Sequence, residues 1–184
     1  MGKFGKIIEV DLSSGTIDQK EMSEAVVRKN LGGLGCNVDT LYHHADRYID
    51  PFDPNNLLVI SRGLLTGTVA PASARVHINT LSPQSGLIGS SNVGGFLGFR
   101  MYSLDVYSIV IKGKASRPVY LYVGPDIIEI RDARELWGLD TRATEERLVQ
   151  AVGPDNMDTL TIGPAGENGV LYACIMAGWD HAAG

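Results

Sequence analysis

The 184-residue chain predicts an α+β fold: two related mixed β-sheets with a few helices, arranged as an internal duplication about an approximate two-fold axis. Three observations carry that expectation. The helical stretches are too few and too clustered for a doubly wound parallel sheet. The order hairpin, helix, strand, glycine-bearing loop occurs twice. The composition, 44% hydrophobic and 20% charged, is that of one domain over residues 1–184 with a sizeable buried core.

Taken from the N-terminus, Lys6-Ile-Ile-Glu-Val-Asp-Leu12 reads as a strand entering the tight turn Ser13-Ser-Gly-Thr16, where Gly15 supplies positive φ, and a short return strand follows. Ser23 caps a helix over residues 23–31, with Gly32-Gly33 as its stop. A second helix spans residues 34–46 with Leu34, Val38 and Leu41 on one face, and Pro51 and Pro54 mark an irregular loop after it. Residues 57–61, 76–80 and 107–112 are strand-like.

The second half repeats the order. Residues 119–123, a Gly-Pro-Asp turn and residues 127–130 form a hairpin, and residues 141–152 a helix capped by Thr141 or Asp140. Residues 159–162 are a strand running into the loop Gly163-Pro-Ala-Gly-Glu-Asn-Gly169. Leu57-Leu-Val-Ile-Ser-Arg-Gly-Leu-Leu-Thr-Gly67 and Thr159-Leu-Thr-Ile-Gly-Pro-Ala-Gly-Glu-Asn-Gly169 share the order of a strand followed by a glycine-bearing loop.

The N-terminus lacks the apolar core of a signal peptide and no stretch reaches a membrane span, so a cytoplasmic chain with no membrane partner is expected. The net charge of −5 argues against a nucleic-acid partner. Charge is uneven, however: Arg62, Arg75, Arg100, Lys112, Lys114 and Arg117 face a single acid, Asp105, across residues 56–117, which fits a site for a small anion. Cys36 and Cys174 are too few and too far apart for a disulfide framework or a cysteine metal site, and are expected in the core. His43, His44, His77 and His181 show no metal-ligand spacing.

The 22 glycines exceed the roughly thirteen that ordinary usage of about 7% gives, and many of them cluster in three loops, residues 62–75, 86–98 and 163–169. Without Cβ atoms such loops admit a ligand to the backbone N–H groups, although none matches a Walker sequence or a dinucleotide fingerprint. Arg75 and Asn92 sit there among small residues. Arginine can fork onto phosphate and asparagine can give an oxygen to a hard cation; the plainer alternatives are a surface ion pair for Arg75 and a self-closed turn for Asn92.

Gly63-Leu-Leu-Thr-Gly-Thr-Val-Ala-Pro71, Ala74-Arg75, Leu81-Ser-Pro83, Asn92-Val-Gly-Gly-Phe-Leu-Gly98, Ile128-Glu-Ile-Arg-Asp-Ala133, Leu136-Trp-Gly138 and Ile162-Gly-Pro-Ala-Gly-Glu-Asn168 occur in an order and at intervals that resemble the N-terminal domain of the aldehyde:ferredoxin oxidoreductases. The likeness covers essentially the whole chain. It implies a base of two related sheets that cradles a tungsten or molybdenum bis-pyranopterin. It also implies that Arg75 lies between the pterin and a [4Fe-4S] cluster, that Asn92 and the Ala182 carbonyl hold a Mg2+ bridging the two pterin phosphates, and that Gly94 and Gly95 present N–H groups beside it. Trp179-Asp180-His181 stands where a more basic stretch is common in the family.

By the same resemblance the catalytic groups and the cluster-ligating cysteines belong to later domains. The intact enzyme is expected to oxidise an aldehyde to a carboxylate and to pass electrons through the cluster to ferredoxin, and this chain alone to be inactive. The alternatives are a related aromatic acyl-thioester reductase, a hydroxycarboxylate oxidoreductase, and a non-catalytic scaffold or partner subunit. An uncovered cofactor face would expose Leu64, Leu65, Phe96 and Leu97 and drive self-association.

Overall fold

The computed structural model describes residues 4–44, 49–153, 157–178 and 181–183. The element order is β1 (Lys6–Asp11), β2 (Thr16–Glu21), α1 (Glu24–Asn30), α2 (Gly33–His44), β3 (Leu58–Arg62), β4 (Val76–Leu81), β5 (Ile88–Val93), α3 (Leu97–Ser103) and β6 (Val106–Lys112). It continues with β7 (Val119–Val123), β8 (Ile128–Asp132), α4 (Thr141–Val152), β9 (Leu160–Thr161), α5 (Pro164–Glu167), β10 (Ile175–Ala177) and β11 (His181–Ala183).

Among the described residues the strands form a six-stranded sheet, β2-β1-β6-β3-β4-β5, a three-stranded sheet, β11-β10-β9, and the hairpin β7-β8. The large sheet is mixed, because β6 runs parallel to β1 and antiparallel to β3. This is the α+β class that the sequence predicts. The repeated order is present too: hairpin β1-β2, helix α2 and strands β3, β4, β5 are matched by hairpin β7-β8, helix α4 and strands β9, β10, β11.

Alternation along the strands sorts the core into two layers. Ile8, Val10, Ile60, Val76, Ile78 and Val93 pack on one face of the large sheet with Ala177 and Ala183 of the small one, and Leu121, Val123, Ile128 and Ile130 of the hairpin press on the same cluster. Each fully buried aliphatic side chain here contributes about 1.5–3 kcal/mol. On the opposite face Leu41 of α2 covers Leu57, Val59 and Val110, and Val27 of α1 packs with Cys36 and Tyr107.

That helix-covered face also holds a polar network. Asn37 of α2 donates to the Val59 and His77 carbonyls at 3.3 and 3.2 Å and to Asn79 Oδ1 at 2.8 Å. The Ser61 hydroxyl bonds Asn37 Oδ1 and lies 2.8 Å from Ser108 Oγ. The fifth residue of α4, Glu145, repeats the device, buried and bonded to the Thr159 hydroxyl beside β9.

Several expectations are corrected here. The first helix ends at Asn30 with Leu31 in the left-handed conformation at φ 58°, and Gly33 begins α2 instead of ending α1. Leu34 is exposed, and the inward stripe of α2 is Gly33, Cys36, Asn37 and Leu41; Ala45 and Asp46, placed in that helix from sequence, lie outside the described residues. Residues 88–93 are strand β5, so Asn92 is on a strand rather than in a loop. Cys174 is exposed, unlike the buried Cys36. The α4 cap is Asp140, whose carboxylate accepts from the Ala143 N–H at 2.7 Å. No helix among the described residues is long and apolar enough to cross a membrane.

Candidate cofactor-binding face

The β3–β4 loop, the β5–α3 turn and strand β11 meet at one edge of the molecule. The β3–β4 loop is locked from within: Thr66, 1% exposed, donates to the Ser73 carbonyl at 2.7 Å, and Gly63 N–H donates to the Arg75 carbonyl at 3.1 Å. It is locked from outside by α3. A Cβ on Gly98 would stand 2.6 Å from the Ala74 carbonyl oxygen, and one on Gly67 would strike the Tyr102 ring at 2.3 Å. Only glycine permits these approaches, and they fix where Arg75 emerges.

Arg75 is exposed and its guanidinium donates to Asn92 Oδ1 on β5. Arg75 is thus oriented by an amide, and the Asn92 side chain reaches across to it from β5. The register places Asn92 opposite His77 on β4. Gly94 and Gly95 follow, and a Cβ at either would meet nothing within 4 Å, so no packing inside the domain demands glycine at 94. Gly95 does need it, at φ 85°.

The third piece is the C-terminal strand. β11 packs against β5, with Ala183 buried in the cluster that holds Val93, while Ala182 is exposed and pairs with Met176. Arg75, Asn92, Gly94, Gly95 and Ala182 are therefore carried by neighbouring elements. Trp179 and Asp180 lie outside the described residues.

The basic middle segment does not converge on this face as its charge count suggests. Arg62 is buried between the rings of Tyr102 and Tyr107 and donates to the Val106 and Phe4 carbonyls. Arg100 pairs with Asp158 at 3.1 Å, Lys112 with Asp11 at 3.3 Å and Arg117 with Asp132 at 3.6 Å. These four cations serve the fold. Leu64, Leu65 and Phe96 are exposed as expected, but Leu97 is half-buried against the main core.

Sequence reading missed His77, whose role is visible only through the strand register. Burial, reinforced by the Arg75 charge, holds its imidazole below the ordinary value of 6.5, and its Nδ1 is buried with no partner among the described residues. A histidine that protonates more easily unfolded than folded makes stability rise with pH. The contribution is complete above the unfolded value and is lost as pH falls toward the lowered folded one. Urea midpoints should therefore drop as pH falls below the ordinary histidine value of 6.5, and His77→Phe should flatten the drop. An identical pH slope in the variant would exclude His77 as its source.

Residues 7–184 match the family model described as aldehyde ferredoxin oxidoreductase, N-terminal domain. The chain is 40% identical over 183 residues to the tungsten-containing aldehyde ferredoxin oxidoreductase of Pyrococcus horikoshii, a match that spans all of this chain and 30% of the relative. It is 33% identical to the aliphatic sulfonate oxidoreductase, WOR-like subunit, of Pyrococcus furiosus, covering 98% of this chain and 31% of that protein. Among solved structures, the active site complex BamBC of benzoyl coenzyme A reductase in complex with 1,5-dienoyl-CoA superposes with a TM-score of 0.95 at 36% identity, covering 98% of this chain and 28% of that one. The chain thus spans about a third of the length of these relatives.

Proposed function

Since the chain belongs to the aldehyde ferredoxin oxidoreductase family through its N-terminal domain, we propose that it cradles a tungsten or molybdenum bis-pyranopterin for a longer enzyme that oxidises aldehydes. The observation that carries this is the pairing of exposed Arg75 with Asn92 beside the open backbone of Gly94 and Gly95. The residues fit such a group. A guanidinium held by a neutral amide keeps its full charge for an anionic ligand. The space beside Gly94 is what a closely approaching ligand requires, and a methyl group would intrude on it.

In this reading Arg75 would hold the anionic pterin by its charge, and Gly94 and Gly95 would offer N–H donors to it; the iron–sulfur cluster would be ligated by later domains. Asn92 Oδ1 and the Ala182 carbonyl would hold a Mg2+ that accompanies the cofactor, a reading that the packing of β11 on β5 supports. Asn92 Oδ1 has a second lone pair, so orienting Arg75 and ligating a cation are compatible. The bound metal–pterin supplies the redox chemistry; this chain supplies position and charge. Electron delivery to ferredoxin and a cytoplasmic location belong to the same proposal, as does self-association of the chain when produced alone.

The test is metal and phosphate content. Tungsten or molybdenum with matching pterin phosphate is expected in the longer protein, and little of either in the 184-residue chain. Within the longer protein, Arg75→Ala and Gly94→Ala should each retain cofactor about tenfold more weakly while leaving the fold intact. Undiminished cofactor in both variants would overturn the assignment, and neither metal in the longer protein would favour a scaffold. The likeness to the benzoyl coenzyme A reductase complex supports a second reading, reduction of an aromatic acyl thioester, built on the same cradle.

A further inference from the structure

The two halves of the duplication meet at an apolar seam, where Ile8, Val10, Ile78 and Val93 of the first half pack with Ala177 and Ala183 of the second. Such contact holds the halves together, but it is non-directional and leaves their relative placement loosely set. The candidate face needs more than that, because Arg75, Asn92, Gly94 and Gly95 stand on one half and Ala182 on the other.

Among the described residues one ion pair crosses the seam. Arg100 of α3 donates from Nε to Asp158 Oδ2 at 3.1 Å, and the two side chains are 30% and 19% exposed. Other pairs, such as Lys112 with Asp11 and Arg134 with Asp132, close within one half. Both partners are tied to the elements that carry the face. In the first half α3 follows Gly94 and Gly95 and abuts the β3–β4 loop at Gly98, two residues before Arg100, and at Tyr102, two residues after it. In the second half Asp158 precedes Thr159, whose carbonyl accepts from the Gly178 N–H at 3.1 Å, and β9 leads through β10 to Ala182, which pairs with Met176. A shift of Asp158 against Arg100 is therefore a shift of Ala182 against the loop that carries Arg75.

The pair has the properties that the apolar seam lacks. A charge-assisted bond has a fixed direction and length. Burial raises the Asp158 carboxyl above its ordinary value of 3.8, and the Arg100 hydrogen bond and charge oppose that shift, so the carboxylate depends on its partner.

We infer that Arg100 and Asp158 are positioning residues, whose ion pair fixes the relative placement of the two half-cradles so that the Arg75–Asn92 pair and the Ala182 carbonyl address one ligand. The inference deepens the cofactor reading and rests on it for the identity of that ligand. The placement itself is tested without it.

Residue-resolved amide hydrogen exchange on the longer protein is the test. In Arg100→Gln the amides of Gly63 and Gly178, bonded to Arg75 and Thr159 on opposite sides of the seam, should exchange about tenfold faster than in the parent. Those of Leu12 and Ala133, bonded to Lys112 and Pro118, should stay within about twofold and show that the fold is intact. Arg100→Lys, and separately Arg100→Asp combined with Asp158→Arg, should restore the slow rates, since each restores a charge contact without the original pair of side chains. In the same preparations, dialysis should remove tungsten or molybdenum about tenfold faster from Arg100→Gln than from the parent or the charge-swapped variant. Unchanged exchange at Gly63 and Gly178 in Arg100→Gln, no rescue by either restoring variant, or metal retained by Arg100→Gln as by the parent would each overturn the inference. A parent holding neither metal, with the exchange rates as expected, would remove the cofactor reading and leave the placement role of the pair standing.

Discussion

Replacing Asn37 with alanine is expected to lower the unfolding free energy by about 3–5 kcal/mol, because one buried amide serves several groups that have no route to water. Asn37, Asn79 and Ser61 are all 0% exposed, and the amide joins the Val59 and His77 carbonyls, Asn79 Oδ1 and the Ser61 hydroxyl. Each polar group stranded in the dry layer costs about 1–3 kcal/mol, so two or three of them set the total. Asn37→Asp separates this cause from lost volume. It keeps the shape but turns an acceptor toward three oxygens, and should be at least as damaging at neutral pH. Urea unfolding checks both variants; a loss below about 1 kcal/mol in either would mean that water or a shifted side chain satisfies the network.

Gly98→Ala should cost about 1–3 kcal/mol and also disturb the candidate site. The new methyl would collide with the Ala74 carbonyl at 2.6 Å, and because that atom is backbone the clash can be relieved only by moving α3 away from the loop that carries Arg75. Gly94→Ala, four residues earlier, meets nothing within 4 Å and should leave the free chain's stability within about 0.5 kcal/mol of the parent. The pair forms a contrast: one glycine serves packing and the other leaves room outside the domain. Equal stability of the two variants by urea unfolding would remove the distinction.

Local chemistry made much of the fold legible. Gly15 at φ 72° closes the first hairpin, Asp140 caps α4, and the 141–152 helix has the bounds read from its pattern. What stayed hidden depends on contacts distant in sequence. Residues 88–93 read as loop because Gly89, Ser90, Ser91 and Asn92 have low strand propensity, and they are a strand because β4 supplies a full antiparallel ladder. Leu31 shares the left-handed conformation with Gly32 and Gly33, at φ 58°, 77° and 47°, and Gly32 is also needed because a Cβ there would lie 2.7 Å from the Tyr107 hydroxyl.

Of the candidate site, Arg75 and Asn92 stood out in sequence as polar residues among small ones, and a side-chain hydrogen bond joins them in the fold. The count of basic residues misled, because charge in sequence does not reveal which cations the fold consumes: Arg62 lies between two tyrosines and three others are matched to carboxylates. His77 gave no signal because its significance is a cross-strand neighbour and a buried, unpartnered nitrogen.

The position of β6 has a consequence for biosynthesis. The strand at the centre of the large sheet is the last of its six to be made, and its parallel partner β1 lies about a hundred residues earlier, so at 5–20 residues per second β1 waits roughly 5–20 s for it on the ribosome. During that interval the β1 edge of the first hairpin and the β3 edge of the β3-β4-β5 meander, which β6 later joins, are bare, and the hairpin alone is too small to persist. Completion of the large sheet therefore waits for residues 106–112, the last of its strands to emerge.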